Sequence, residues 1–143
     1  MVIIGIITTL AVPQYQQMVE KFRGVEVYPI FNQFRKEFLA RKATGLAITA
    51  PEFNPNVGED SNPSWELLGM KNPNASATAN FCYDYWSSNS NTTAWWFIQW
   101  AAGRNVIVSR RRTVKRPYSN DLDMNTYIIM DLDTGEIYKS EPY

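Results

Sequence analysis

The first 13 residues, MVIIGIITTLAVP, carry no charged side chain, and this opening most limits what the chain can fold into. An α-helix rises about 1.5 Å per residue, so this stretch makes roughly 20 Å of helix, whereas the core of a bilayer is about 30 Å thick. The segment is too long and too early to be ordinary core, and too short to span a membrane by itself. It therefore predicts a helix that stands out from the folded body.

Composition excludes several classes of protein. The 143 residues suit one domain, and a formal net charge of zero with a pI near 6.3 argues against a general binder of nucleic acid or membrane surfaces. The chain has no histidine and one cysteine, Cys82, which excludes Ser-His-Asp and Cys-His catalysis, a His/Cys zinc site and an intrachain disulfide. Asp131 and Asp133 are paired carboxylates without a cleft motif beside them. We expect no enzymatic activity and no cofactor.

A helical pattern continues from Gln14 to Thr44, where apolar residues recur mostly at three- and four-residue steps. Pro29 lacks an amide donor, so it predicts a kink near Val25 or Glu26, after which the amphipathic pattern resumes. Gly45 is suited to the position just past the helix end. The sequence thus predicts one long bent helix over residues 1–44, apolar all round over 1–13 and amphipathic over 14–44.

The remainder, residues 45–143, is predicted to form a globular head. Residues 45–80 contain four prolines and little periodicity, which indicates a loop, with one short helical turn over 64–70 capped by Ser64. Beyond Asn80 the period changes to that of strands, and "DTGE" at 133–136 predicts a hairpin turn, as does "AGRN" at 102–105. The predicted strands are residues 80–86, 93–101, 105–111, 126–132 and 136–139, and the sheet as a whole is assigned to residues 81–140.

These elements predict an α+β fold in which the amphipathic half of the helix packs on an antiparallel sheet and the apolar half protrudes. Aromatic residues at helical spacing are expected to make the helix–sheet contact. They are Tyr15, Phe22, Phe31, Phe34 and Phe38.

The opening "VIIGIITTLAVPQYQ" resembles the N-terminal helix of type IV pilins and of the related pseudopilins of type II secretion. Gly5 stands eight residues before Pro13, as in that family, and "PQYQ" is a common continuation. The resemblance is strong over residues 1–23 and consistent in architecture to residue 44. It implies a lollipop-shaped fold, with a long bent N-terminal helix on a C-terminal antiparallel sheet.

The resemblance also implies a function. Family members are structural subunits of bacterial surface filaments, anchored in the inner membrane before an assembly machinery packs identical copies into a helical fibre. By the spacing of Gly5 and Pro13, about nine mature residues are expected before Met1, and the helix between them is expected to melt in the filament. The residues expected in the fibre core are Val2, Ile3, Ile4, Gly5, Ile6, Ile7, Leu10, Val12 and Pro13.

Two other functions stay open at this level. The chain could be the major pseudopilin of a type II secretion system, although the long polar loop favours a pilin. It could instead be a monomeric binding module with an apolar anchor, which would show a concave pocket on the sheet side and no self-association.

Two further stretches have more than one interpretation. Asp121, Asp123 and Asn125 are weak calcium candidates, because some major pseudopilins hold calcium in this region, but the stretch lacks the EF-hand pattern and a turn is predicted. Residues 104–116 are locally basic. They are interpreted as a strand end with a solvated loop, as a clamp on acidic patches of another subunit such as Glu59–Asp60, or, least favoured by the neutral net charge, as a nucleic-acid contact.

Overall fold

The computed structural model describes residues 2–46, 65, 68–86, 103–117 and 121–143, and for residues 2–11 and 124 the backbone alone. Two helices come first and four strands follow: α1 (Val2–Gly24), α2 (Val27–Ala43), β1 (Phe81–Trp86), β2 (Val106–Arg112), β3 (Leu122–Asp131) and β4 (Ile137–Lys139). The strands form an antiparallel sheet in the order β1-β2-β3-β4. This confirms the predicted α+β arrangement of a long bent N-terminal helix followed by an antiparallel sheet. The predicted strand 93–101 lies outside the described residues.

The bend lies where the sequence predicts it. Val25 and Glu26 form a turn between the two helices. Pro29 causes it, because its ring excludes the carbonyl of Val25 and it has no amide to donate to that carbonyl. Gly24, which has weak helix propensity, ends α1 just before the turn.

The C-terminal end of α2 is closed by Gly45. This residue has φ 76°, in the left-handed region that a residue without Cβ adopts readily. The amide of Gly45 donates to the carbonyl of Lys42 at 3.2 Å, and the amide of Leu46 donates to the carbonyl of Arg41 at 3.0 Å. These two bonds make a Schellman motif, which confirms Gly45 as the residue past the helix end.

The core lies between α2 and one face of the sheet. α2 buries Val27, Phe31, Phe34 and Phe38, which are four and three residues apart and so share one side of the helix. The ring of Phe31 meets Tyr83 edge-on at a centroid distance of 6.2 Å. The partners of these four side chains in the core are Trp65, Leu68, Met70, Phe81, Tyr83, Tyr85, Ile107, Ile128, Met130 and Leu132.

Most of the loop predicted over 45–80, including Ser64, lies outside the described residues. Trp65 is helical and fully buried, and its carbonyl accepts a bond from the amide of Met70 at 2.8 Å. Its ring packs edge-on against Phe34 at 5.5 Å. This part of the predicted loop therefore contributes to the core.

At the outer edge of β1, a side chain makes the hydrogen bonds that a neighbouring strand would make. Asn74, in a 3₁₀ turn over Pro73–Ala75, donates from Nδ2 to the carbonyl of Tyr83 at 2.9 Å. Its Oδ1 accepts from the amide of Tyr83 at 2.8 Å. Arg112 holds the turn in place by donating to the carbonyls of Asn74 and Ser76, each at 2.7 Å. These bonds satisfy backbone groups that an edge strand otherwise exposes.

At the opposite side of the sheet, a tight turn joins β3 and β4, as "DTGE" predicts. Gly135 has φ 80°, and its amide donates to the carbonyl of Asp131 at 2.8 Å. The guanidinium of Arg35 lies against Gly135 and donates from Nε to the carbonyl of Leu132 at 3.0 Å. Lys42 pairs with Asp133. The turn is thereby fixed to α2.

Candidate assembly surface

The first half of α1 stands clear of the head. α1 is continuous through Gly5 and Pro13, so the structure shows a helix throughout the segment that the resemblance expects to melt in a filament. Every described side chain from Val12 to Met18 is exposed, and burial begins only at Val19 and Glu20. Of the residues expected in the fibre core, Val12 and Pro13 are exposed. The side chains of Val2, Ile3, Ile4, Ile6, Ile7 and Leu10 lie outside the described residues.

Large apolar side chains form an exposed row along α1 and into the turn that follows it, which we name the apolar stripe. Its members are Val12, Tyr15, Met18, Phe22 and Val25, with exposed fractions of 52%, 69%, 56%, 66% and 56%. The prediction that Tyr15 and Phe22 pack on the sheet is therefore wrong, whereas Phe31, Phe34 and Phe38 are buried against it.

Tyr15 and Phe22 are exposed because of where they lie around the axis of α1. At about 100° per residue, the side of α1 that carries Tyr15, Met18 and Phe22 lies roughly opposite the side that carries Glu20 and Gly24. The latter side faces the head. A Cβ on Gly24 would come within 2.8 Å of Cδ1 of Tyr143, so glycine permits this close approach. The apolar stripe points away from the sheet because the helix is already packed on its other side.

Polar contacts fix the second half of α1 to the head. Glu20 pairs with Arg111 of β2 at 2.9 Å and with Arg23 one turn further along the helix. In the turn between the helices, Glu26 accepts bonds from the amide of Asn80 at 3.0 Å and from its side chain at 2.7 Å. Burial raises the pKa of Tyr143, whose ring packs 5.6 Å from that of Phe81. The apolar stripe is consequently held in a fixed orientation relative to the sheet.

An open groove of about 700 Å³ runs along one flank of α1. Gln16, Gln17 and Glu20 line it from the helix, and Arg111 and Pro142 line it from the head. The groove follows the helix rather than the sheet, so it differs from the concave pocket that an anchored binding module predicts.

The basic run 104–116 is used within the chain. Arg110 pairs with the fully buried Asp84. Arg104 bridges Asp131 and Glu136, at 3.3 and 3.2 Å, and Arg116 pairs with Asp121 at 2.9 Å. Together with Arg111 and Arg112, these residues account for every arginine of the run. Their contacts give no support to the alternative interpretation of a clamp for another subunit, and Glu59–Asp60, named for that clamp, lies outside the described residues.

The three calcium candidates are not gathered into a cation site. Asp121 pairs with Arg116, and Asp123 accepts from the amide of Asn125 at 2.9 Å and from Thr126. Within the described ranges, no three acidic, histidine or cysteine side chains are grouped as metal ligands. The predicted turn here is wrong, because Leu122 pairs with Arg112 beyond a register shift and the residues up to Asn125 extend β3.

No nucleophile is activated at Cys82. The side chain is fully buried, and burial raises the pKa of its thiol to about 12. Since the thiolate is the reactive form, this thiol stays protonated and inert at neutral pH.

The comparisons leave the family open. No family model, curated protein or solved structure matches the chain. Among the described helices, none combines the length and apolar character that crossing a membrane requires. The resemblance of residues 1–23 to type IV pilins therefore stays a prediction.

Proposed function

We propose that this protein is a structural subunit of a bacterial type IV pilus-like surface filament, assembled by packing of its N-terminal helices. The observation that carries the proposal is the apolar stripe on α1. It continues the uncharged opening of the chain, lies on the side away from the head, and exposes five large apolar side chains to solvent.

The physical argument starts from the surface area of the stripe. A fully buried aromatic side chain removes about 150–250 Å² from water, so Tyr15 and Phe22, each about two-thirds exposed, leave roughly 130 Å² apiece uncovered. The half-exposed Val12, Met18 and Val25 add to this area. A monomeric soluble protein seldom exposes a contiguous apolar patch of more than a few hundred Å². The stripe alone reaches about that limit, and the uncharged turns before it add more. Such a helix calls for a covering of lipid or of other helices.

A filament supplies this covering repeatedly. When one copy's helix packs on another through a contact that does not close into a ring, the same contact recurs and a helical fibre grows. Before assembly, the apolar half of the helix would lie in the inner membrane. The fibre core then replaces the bilayer as the apolar environment.

The head is suited to the outside of such a fibre. Its strands are tied together by charged pairs within the chain, and its surface includes exposed residues of both signs, such as Lys139, Glu136 and Arg116. The head would thus stay solvated while α1 makes the contacts between copies.

The proposal is tested by adding a negative charge to either side of α1 and asking whether fibres still assemble. Met18→Glu and Phe22→Glu place a carboxylate in the stripe, and we expect cells that make either variant to lose sheared surface fibres in electron micrographs. Gln17→Glu is the matched control, because it adds the same charge on the groove side, four residues before Lys21, where the pair favours the helix. Fibres that persist in both stripe variants would contradict the proposal. Short fibres confined to the cell envelope would favour the secretion pseudopilin instead.

A further inference from the structure

A cavity of about 360 Å³ opens beside the bend of the helix, between the end of α1 and β4. Its volume falls within the range of about 300–1,000 Å³ that is usual for ligand pockets. We name it the lysine cavity, because two lysines border it. Its lining includes Lys21, Val25, Tyr28, Lys139 and Tyr143.

The two lysines reach the lysine cavity from different elements of the fold. Lys139 lies opposite Ile128 in the register of β3 and β4, and Ile128 packs in the core on the helix side of the sheet. Because paired residues of neighbouring strands share a face, Lys139 points to that side as well. Lys21 comes from the last turn of α1. Two cations thus border one small space.

The positive charge of the lysine cavity is not neutralised within the chain. In the part of the chain that the structure describes, neither Lys21 nor Lys139 forms an ion pair, and no acidic side chain lines the cavity. The acidic neighbour on α1, Glu20, is paired with Arg111 and Arg23 instead. An anion in the cavity would attract both ammonium groups at once.

The apolar part of the lining indicates the kind of anion that fits. Val25 belongs to both the lysine cavity and the apolar stripe, so a ligand held by the lysines can lay an apolar tail along the stripe. Tyr28 and Tyr143 are partly buried. Tyrosine rings and long lysine side chains are typical of the level at which lipid headgroups lie.

We propose that the lysine cavity binds the phosphate group of an anionic phospholipid. Lys21 and Lys139 hold the phosphate between them, and the acyl chains run past Val25 along the apolar stripe. The proposal rests on the membrane step of the proposed function and names the lipid for that step. An anionic lipid would hold the base of the head at the membrane surface until α1 enters the fibre.

Vesicle flotation of the full chain tests the proposal. We expect vesicles of phosphatidylglycerol to bind more of the chain than vesicles of phosphatidylcholine. One lysine near an anionic surface strengthens binding about fivefold, so Lys21→Gln and Lys139→Gln should each weaken binding to phosphatidylglycerol about fivefold and leave binding to phosphatidylcholine unchanged. The matched control is Lys36→Gln, which removes the same charge from an exposed residue about two turns beyond Tyr28 on α2. It should bind as the unmodified chain does.

Inorganic phosphate, added at millimolar concentration and constant ionic strength, distinguishes a lipid from a soluble anion. We expect no change in vesicle binding, because phosphate alone has no apolar part. Displacement of the vesicles would overturn the lipid assignment in favour of a soluble phosphate compound. Equal binding to the two kinds of vesicle, or an equal loss in Lys36→Gln, would overturn the proposal and leave the proposed function intact. A chain that binds neither kind would contradict the membrane step as well.

Discussion

Truncation of two phenylalanines on the same bent helix is expected to change the free energy of unfolding by very different amounts. Phe34 is fully buried, with its ring 5.5 Å from Trp65 and 5.7 Å from Tyr85, whereas Phe22 is 66% exposed. Replacing a buried phenylalanine by alanine lowers the free energy of unfolding by about 3–5 kcal/mol. A surface substitution changes it by about 0.5 kcal/mol or less. Phe34→Ala should therefore destabilise the fold strongly, and Phe22→Ala should leave it nearly unchanged.

Urea unfolding at low protein concentration, followed by tryptophan fluorescence, measures the difference. With a slope of about 2 kcal/mol per molar urea, a loss of about 4 kcal/mol lowers the midpoint by about 2 M. We expect this shift for Phe34→Ala and less than about 0.3 M for Phe22→Ala. The low concentration keeps association through the stripe from contributing to the apparent stability.

Equal destabilisation by the two substitutions would refute the reasoning, because it would mean that Phe22 is packed on the head as the aromatic spacing first predicts. Phe22→Leu is a useful companion variant. It keeps an apolar side chain in the stripe, so both stability and assembly should persist.

Three further predictions concern the contacts that fix the head and the helix. Gly24→Ala should lower the free energy of unfolding by about 1–3 kcal/mol, because the new Cβ overlaps the ring of Tyr143. In a Tyr143→Ala background, calorimetry should show that the same substitution at Gly24 stabilises the fold instead. Asp84→Ala removes the carboxylate that pairs with the nearly buried Arg110, so it should lower the free energy of unfolding by about 3–5 kcal/mol. Replacing both partners, Asp84→Leu with Arg110→Met, should leave the free energy of unfolding measured in urea close to that of the unmodified chain. Burial acts to raise the pKa of Asp133, but the hydrogen bonds from Lys42 and Asn105 and the charges of Lys42 and Arg35 together outweigh burial and hold the pKa below its usual value. The contribution of Asp133 to stability is therefore complete above about pH 4 and is lost as the pH falls through the lowered pKa. An NMR titration should show a higher pKa for Asp133 in Lys42→Met.

Local patterns in the sequence predict much of the fold. The kink at Val25–Glu26 follows from Pro29, the end of α2 from Gly45, and the β3–β4 hairpin from Gly135, because each depends on the backbone chemistry of one residue. By contrast, Asn74 bonds to Tyr83 across a separation of nine residues, and Glu26 bonds to Asn80 across a separation of 54 residues. No local rule specifies such pairings.

The direction of the apolar stripe had a signal in the sequence. Tyr15 and Phe22 belong to a row with three- and four-residue steps, as do Phe31 and Phe34, so spacing alone assigns all four to one face. The step from Val25 to Val27 breaks the spacing, however, and at about 100° per residue the two rows lie roughly opposite each other. Helical phase, rather than spacing alone, distinguishes the side that packs on the sheet from the side that is left for a partner.

The central claim, that α1 packs in the interior of a fibre, is tested most directly by electron microscopy of surface appendages sheared from cells that make this protein, with helical reconstruction. The account predicts continuous fibres into whose density the chain fits, with α1 along the axis, the apolar stripe of each copy against helices of other copies, and the sheet outside. Fibres that do not contain this chain, or fibres in which the stripe faces solvent, would contradict it.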